Sequence, residues 1–184
     1  MRVIAGTAKG REILAPKGLN TRPTLAKVKE AMFGMIQFDI EGAEVLDLFS
    51  GSGGLGIEAI SRGADRATFC DCDRQAYGMI KENLKRLGFE DKASVNFGDS
   101  LLLLERLALE GRRFDIVLLD PPYKTDLASK ALEKLDSLSL LSGGAIALIE
   151  HSGDNPPVLP SAFVKEKTKK YGDSFVTYAV FEGA

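Results

Sequence analysis

Val45-Leu46-Asp47-Leu48-Phe49-Ser50-Gly51-Ser52-Gly53-Gly54-Leu55-Gly56 decides the fold. An apolar run passes into a glycine-rich turn and then into a helical stretch through Arg62, which is the opening of a βα unit. Glycines at such a turn admit positive φ and let a ligand approach the backbone. The first N–H groups of the helix that follows are unpaired and favour an anion, so a carboxylate or phosphate is expected on the turn. Gly51, Gly53 and Gly56 satisfy the dinucleotide pattern G-x-G-x-x-G, and Asp71 follows at the spacing of an acid that holds ribose hydroxyls. The glycines alone do not separate a nicotinamide site from another nucleoside site. Asp47 does, because an acid at the strand end suits a ligand with a positive group and opposes a pyrophosphate.

Outward from this stretch the chain alternates. Strands are expected near Glu44–Phe49, Arg66–Asp71, Ala93–Phe97, Phe114–Asp120 and Gly144–Glu150, and helices near Thr24–Gln37, Leu55–Arg62, Arg74–Leu87, Ser100–Glu110 and Leu127–Ser137. That rhythm predicts an α/β fold with a doubly wound, mostly parallel sheet. Phe163–Tyr171 and Ser174–Phe181, joined at Gly172-Asp173, alternate as an antiparallel pair, which brings the sheet to seven strands. Arg2–Ala15, with Gly6 and Gly10, reads as a small β-hairpin or extended arm. A single domain over 1–184 is expected, with a basic arm at 1–23 and a catalytic core at 24–184.

Asp120-Pro121-Pro122-Tyr123 follows the apolar run that ends at Leu119. Two residues without N–H donors, a carboxylate and free carbonyls offer acceptors with nothing competing for them, and an aromatic ring lies beside them. Each proline holds the residue before it extended. The result is a socket for an amino group on a flat ring. Asp47, Asp71, Asp99 and Asp120 each stand at or just past a strand end, so four acids should converge on the sheet edge where ligands collect.

The net charge of −2 argues against a general nucleic-acid binder, but residues 1–30 hold seven Lys or Arg against Glu12 and Glu30, a local +5 that leaves −7 elsewhere. Beside a site for a base, this arm reads as a grip on a phosphate backbone. Cys70 and Cys72 are read as reduced, mostly buried thiols, and with only His151 in support no metal site is expected. No apolar run reaches membrane-spanning length, and Met1-Arg2-Val3-Ile4 leads at once into polar sequence, so a cytoplasmic protein is expected. His151 and the Lys165–Lys170 run are read as structural and as a solvated strand face.

Asp47-Leu48-Phe49-Ser50-Gly51-Ser52-Gly53 resembles motif I of the class I S-adenosylmethionine-dependent methyltransferases, and Asp120-Pro121-Pro122-Tyr123 resembles the [DN]-P-P-[YFW] motif of those that act on amino groups. With Arg2-Val3-Ile4-Ala5-Gly6, Lys9-Gly10-Arg11, Arg22-Pro23-Thr24, Val28-Lys29-Glu30 and Leu55-Gly56-Ile57-Glu58-Ala59, nearly the whole chain resembles the RsmD family of 16S ribosomal RNA guanine-N2 methyltransferases. The resemblance implies a Rossmann-like class I methyltransferase fold and S-adenosyl-L-methionine as cofactor. It implies 16S rRNA, in an assembling or assembled small ribosomal subunit, as partner. Asp120, Pro121, Pro122 and Tyr123 would act on the base. Asp47, Phe49, Ser50, Gly51, Gly53, Asp71, Cys72, Asp99, Ser100 and Asp120 would hold the cofactor, and Arg2, Lys9, Arg11, Arg22 and Lys27 the RNA. Two other readings stay open on the residues: methylation of another amino group, such as DNA adenine or protein glutamine, and a nicotinamide-dependent oxidoreductase.

Overall fold

A computed structural model describes residues 1–15 and 23–183. Seven strands form one sheet: β1 (Glu44–Asp47), β2 (Arg66–Asp71), β3 (Ala93–Phe97), β4 (Phe114–Leu119), β5 (Leu141–Ser152), β6 (Phe163–Tyr171) and β7 (Ser174–Phe181). Their order is β3-β2-β1-β4-β5-β7-β6, with β7 antiparallel to both of its neighbours and every other pair parallel. Five helices connect them: α1 (Pro23–Met35), α2 (Gly54–Ser61), α3 (Arg74–Leu87), α4 (Ser100–Leu109) and α5 (Leu127–Ser137). The chain runs outward from β1 to β3, then returns to pair β4 on the other side of β1. This reversal opens a crevice at the carboxyl ends of β1 and β4.

The strand residues explain why β1 and β4 are central. Val45, Leu46, Ile116, Val117, Leu118 and Leu119 are buried, and strands covered on both faces are apolar throughout. One core layer gathers Phe33, Phe69, Ile57, Ile80 and Leu118; the opposite layer gathers Leu104, Phe114, Val117, Leu132 and Ile149. Helix α3 shows why periodicity was readable. Ala76, Ile80, Leu84 and Leu87 lie on its buried side, Asp73 caps its first turn through Gln75 N–H, and Gly88 ends it at φ 71°.

Strand β5 and the N-terminal segment depart most from expectation, β5 also running two residues past Glu150 to Ser152. Strand β5 starts at Leu141, three residues before Gly144, because Leu141 is buried and pairs with Phe114 across an irregularity in register. The expected N-terminal hairpin contracts to one antiparallel bridge, Arg2 with Glu12. Gly6 and Gly10 take φ near 80° there, and the intervening residues are turns.

Backbone bonds between Met1 and Ile13 and between Val3 and Arg11 close residues 1–15 on themselves, and the polar face of α2 holds the segment to the core. Glu58, fully buried, accepts the N–H groups of Ile4 (2.8 Å) and Ala5 (2.9 Å) and pairs with Lys29 (3.1 Å) and Arg62 (2.8 Å). Ser61 Oγ donates to the Ala5 carbonyl and accepts from Ala8 N–H. Asn83 of α3 grips Leu14 at both its N–H and its carbonyl. Val3, Ala8 and Ile13 then enter the core, so this segment packs as part of the same body. Gly6 fits only without a side chain, since a Cβ would lie 1.7 Å from the Ser61 carbonyl oxygen.

Glu58→Ala should therefore leave Lys29 buried without its partner and strand two backbone N–H groups. A loss of about 3 kcal/mol, or roughly 6–12 °C in Tm, is expected, with earlier proteolysis before residue 15 than elsewhere. Unchanged thermal and proteolytic profiles would contradict this anchoring.

Candidate active site

The turn after β1 is pinned by the chain itself. Asp47 Oδ2 accepts Gly56 N–H at 2.9 Å, and Asp71 Oδ2 accepts Gly51 N–H at 2.7 Å. Ser50 Oγ donates to the Asp47 carbonyl (2.6 Å) and accepts Cys70 N–H (3.0 Å), lacing the turn to β2. Gly53 caps α2 at φ 81°, and Gly56 lets the helix approach the Phe69 ring, where a Cβ would stand at 2.3 Å. An external anion on this turn was expected. Instead, two of its amides already donate to the protein's own carboxylates.

Asp47 itself is 0% exposed and stands beneath the crevice, not on its wall. Its Oδ1 has no hydrogen-bond partner among the described residues. Burial raises its pKa to about 7, with Asp71 adding to the effect and Gly56 N–H opposing it. Its place is thus to hold the turn, with a carboxyl that ionises only as pH passes about 7.

The crevice has a volume of about 1130 Å³, enough for a nucleoside-sized ligand and a second flat ring. Phe49, Ser50, Gly51, Asp71, Cys72, Asp99, Ser100, Asp120, Pro121, Pro122 and Tyr123 all border it. Asp99 also caps α4, accepting from Leu101 and Leu102 N–H, while Ser100 Oγ donates to the Leu48 carbonyl at 3.0 Å. Cys72, expected to be mostly buried with Cys70, is exposed because β2 ends at Asp71. Cys70 is buried, and desolvation pushes its thiol up to about 11. Metal-ligand clusters of three or more His, Cys, Asp or Glu are absent among the described residues.

At the end of β4 no described residue donates to the Asp120 carboxyl or the Pro121 carbonyl. The Pro122 carbonyl, also expected to be free, is taken by Thr125 Oγ1 at 2.8 Å. The loop then turns through Lys124 at φ 65°. Desolvation, followed by the charges of Glu150 and Asp47, pushes Asp120 up to about 8. Tyr123 is 54% exposed, with its hydroxyl within 3.1 Å of Glu150 Oε1 and 2.8 Å of Ser174 Oγ. A ring fixed at its hydroxyl and open on its face is a stacking platform.

Glu150 and Ser174 were not singled out from sequence. Glu150 follows Ile149, which pairs with Leu119, so it stands beside Asp120, two residues before β5 ends at Ser152. It closes the strand expected over Gly144–Glu150, but the strand runs on to Ser152 against β7. His151 is buried and structural: its ring bonds the Ser152 carbonyl and Thr177 Oγ1 and stacks on Phe175.

The basic residues are scattered. Arg2, on the crevice rim, pairs with Glu12, and the Arg11 guanidinium donates to the Leu87 and Arg86 carbonyls at the end of α3. Lys9 and Lys27 are exposed, Lys29 is buried against Glu58, and Arg22 lies outside the described residues.

Strand order, glycine turn and an acid-rimmed crevice at the switch point together define the class I methyltransferase fold. Among solved structures, yhhF of Escherichia coli superposes with a TM-score of 0.87 at 26% identity, over 100% of this chain and 99% of that one. Ribosomal RNA small subunit methyltransferase D of Haemophilus influenzae is 32% identical over 182 residues, 99% of this chain and 93% of its own. YlbH of Bacillus subtilis is 40% identical over 175 residues, 94% of each chain. The family model described as Conserved hypothetical protein 95 matches residues 1–180. The chain belongs to this family, that of ribosomal RNA small subunit methyltransferase D, RsmD. Membership removes the oxidoreductase reading of Gly51, Gly53 and Gly56.

The raised carboxyls carry a pH signature. Asp120 and Asp47 hold protons in the folded chain that the unfolded chain releases near pH 4, so their contribution to stability declines as pH rises from about 4 to about 8. Asp120→Asn removes one share of that decline. Its Tm relative to the parent protein should rise steadily from pH 5 to pH 8 and level off above; a difference constant with pH would refute the shift.

Proposed function

We propose that the protein is an S-adenosyl-L-methionine-dependent methyltransferase that modifies the exocyclic N2 amine of a guanine in small-subunit ribosomal RNA. The observation that carries this reading is the meeting, in one acid-lined crevice, of exposed Tyr123 with an Asp120 carboxyl and a Pro121 carbonyl that accept from no donor among the described residues.

The residues fit the cofactor. Asp71, at the end of β2, would take the ribose hydroxyls and Asp99 and Ser100 an adenine edge, with Phe49 and Gly51 bordering the same crevice; Gly53 caps α2 and does not line it. Negative charge from Asp120, Glu150 and buried Asp47 complements a ligand with both a sulfonium and an ammonium group. When bound, S-adenosylmethionine supplies an electrophilic methyl group. The protein's task is to present a nucleophile to it.

Guanine N2 is a weak nucleophile because its lone pair is shared with the ring. Asp120 and the Pro121 carbonyl accept its two N–H hydrogens, fix its direction and offset the positive charge that grows on nitrogen as the new bond forms. Positioning of this kind can supply about 7–11 kcal/mol when near-attack geometry is reached, and aimed acceptors add to it. Ionised Asp120 also matches a cationic ligand better than neutral Asp120, so cofactor binding is coupled to proton release below about pH 8. Tyr123 stacks on the extruded base, a contact worth roughly 1–3 kcal/mol and indifferent to base identity.

The surrounding protein supports an RNA substrate. Lys9 and Lys27 are exposed and Arg2 stands on the crevice rim, which suits phosphates flanking a base drawn into the site. Relatives named for small-subunit rRNA favour 16S rRNA, free or in a ribosomal particle, and a cytoplasmic setting. Among the described residues no helix is long and apolar enough to cross a membrane. The 1–23 arm and the 24–184 core are proposed to act together, the arm on RNA and the core on cofactor and base.

Transfer of a tritiated methyl group to small-subunit particles and to bare 16S rRNA, followed by nucleoside analysis, tests the reading. N2-methylguanosine is the expected product; N6-methyladenosine, or label in protein glutamine, would replace it with another amino-group substrate. Asp120→Ala should reduce transfer at least about 100-fold while cofactor still binds. Tyr123→Ala should weaken transfer by roughly 10- to 100-fold and Tyr123→Phe far less.

Binding to RNA should weaken steeply as salt rises. In the Lys9→Gln, Lys27→Gln double variant the slope of log affinity against log salt should flatten by about 2, since each phosphate contact contributes about 1. An identical slope would take both lysines out of the interface.

A further inference from the structure

We infer that Glu150 is the residue that selects guanine, by accepting the ring N1–H beside the amine held by Asp120. This inference rests on the reading above and names the discriminating contact within the same site.

Three observations converge on it. Glu150 is only 4% exposed, yet it borders the crevice, so what it shows is aimed at whatever the crevice holds. Among the described residues its carboxylate accepts from Tyr123 alone, through Oε1, and Oε2 has no hydrogen bond and is not sealed within the protein. A nearly buried carboxylate with one committed oxygen is poised for a donor from a ligand. It also stands one residue beyond the Leu119–Ile149 pair, on the strand next to that of Asp120, and its charge acts on Asp120 directly.

Two acids adjacent across neighbouring strands thus face the same ligand, with strands about 4.8 Å apart in the sheet. The Watson–Crick edge of guanine is complementary to such a pair. It presents N2–H and N1–H side by side, two donors toward two carboxylates. Adenine presents one donor, at N6, and next to it the N1 lone pair, which a carboxylate repels. Tyr123 cannot make this distinction, because every base has a π-face. Asp120 and Pro121 cannot make it either, because both purines carry an amine they could hold. Glu150 can, since a buried acceptor rejects a ligand that offers no hydrogen to it.

A merely structural role must be distinguished, because Glu150 also steadies Tyr123 through its hydroxyl. The test uses RNA in which the mapped target guanine is replaced by 2-aminopurine, which keeps the 2-amino group and lacks N1–H. The parent protein should methylate this RNA with kcat/KM lowered on the order of 10- to 100-fold relative to guanine. Glu150→Gln, whose amide can donate to an unprotonated N1, should lose activity on guanine and narrow or invert that ratio. Tyr123→Phe, which removes the hydroxyl but leaves Glu150, should keep the parent ratio. Retained cofactor binding and a cooperative thermal transition in Glu150→Gln confirm that the site is intact. If Glu150→Gln and Tyr123→Phe lower activity alike and neither moves the ratio, Glu150 only positions the ring and the inference is overturned. If the parent protein yields no N2-methylguanosine on guanine RNA, the function itself fails, a result separate from any change of ratio.

Discussion

Everything in the crevice depends on the way two carboxylates take up the amides of one glycine turn. Asp47 holds Gly56 N–H at the start of α2 and Asp71 holds Gly51 N–H from the neighbouring strand. A loop that could take many shapes is thereby fixed at both ends, and Ser50 ties its middle to β2. Fixing it has an energetic cost, since Asp47 is buried with one oxygen unpartnered. The burial raises its pKa and places latent negative charge beneath the site. A cationic ligand relieves that strain, so the same device that shapes the turn also favours the proposed cofactor.

The second half of the site is organised by a different rule. Asp120 and Glu150 lie side by side on neighbouring strands, and the charge of Glu150 adds to the burial that pushes Asp120 up. Two prolines remove donors that would satisfy them from within the loop. Tyr123 is braced by Glu150 and Ser174, which lets its ring stay open without collapsing onto the sheet. Acceptors left unsatisfied by the protein are the physical basis of a preference for an amine, and their spacing is the basis of a preference for a particular edge.

The N-terminal segment joins these halves to the surface. It was legible as a glycine-punctuated basic stretch, and its turns are indeed at Gly6 and Gly10. Its attachment was not legible, because it relies on Glu58, Ser61 and Asn83, polar residues on helices that sequence patterning assigns to no partner. Arg11 and Lys29 look alike in a charge count, yet one caps α3 and the other neutralises a buried acid. Charge composition records how many cations exist and not which are already spent.

Periodicity and punctuation by themselves determined the βα alternation, the antiparallel closing strands and the acids at strand ends, since these follow from local spacing of apolar residues, glycines and prolines. They also marked Asp120-Pro121-Pro122-Tyr123 as a surface of acceptors, because missing donors are a property of residue type. Only the tertiary structure decided which acids face the crevice. It sank Asp47 below the floor, brought Cys72 into the open and set Glu150 against Tyr123. Those outcomes depend on strand register and helix docking, which join residues distant in the chain and leave no periodic trace in it.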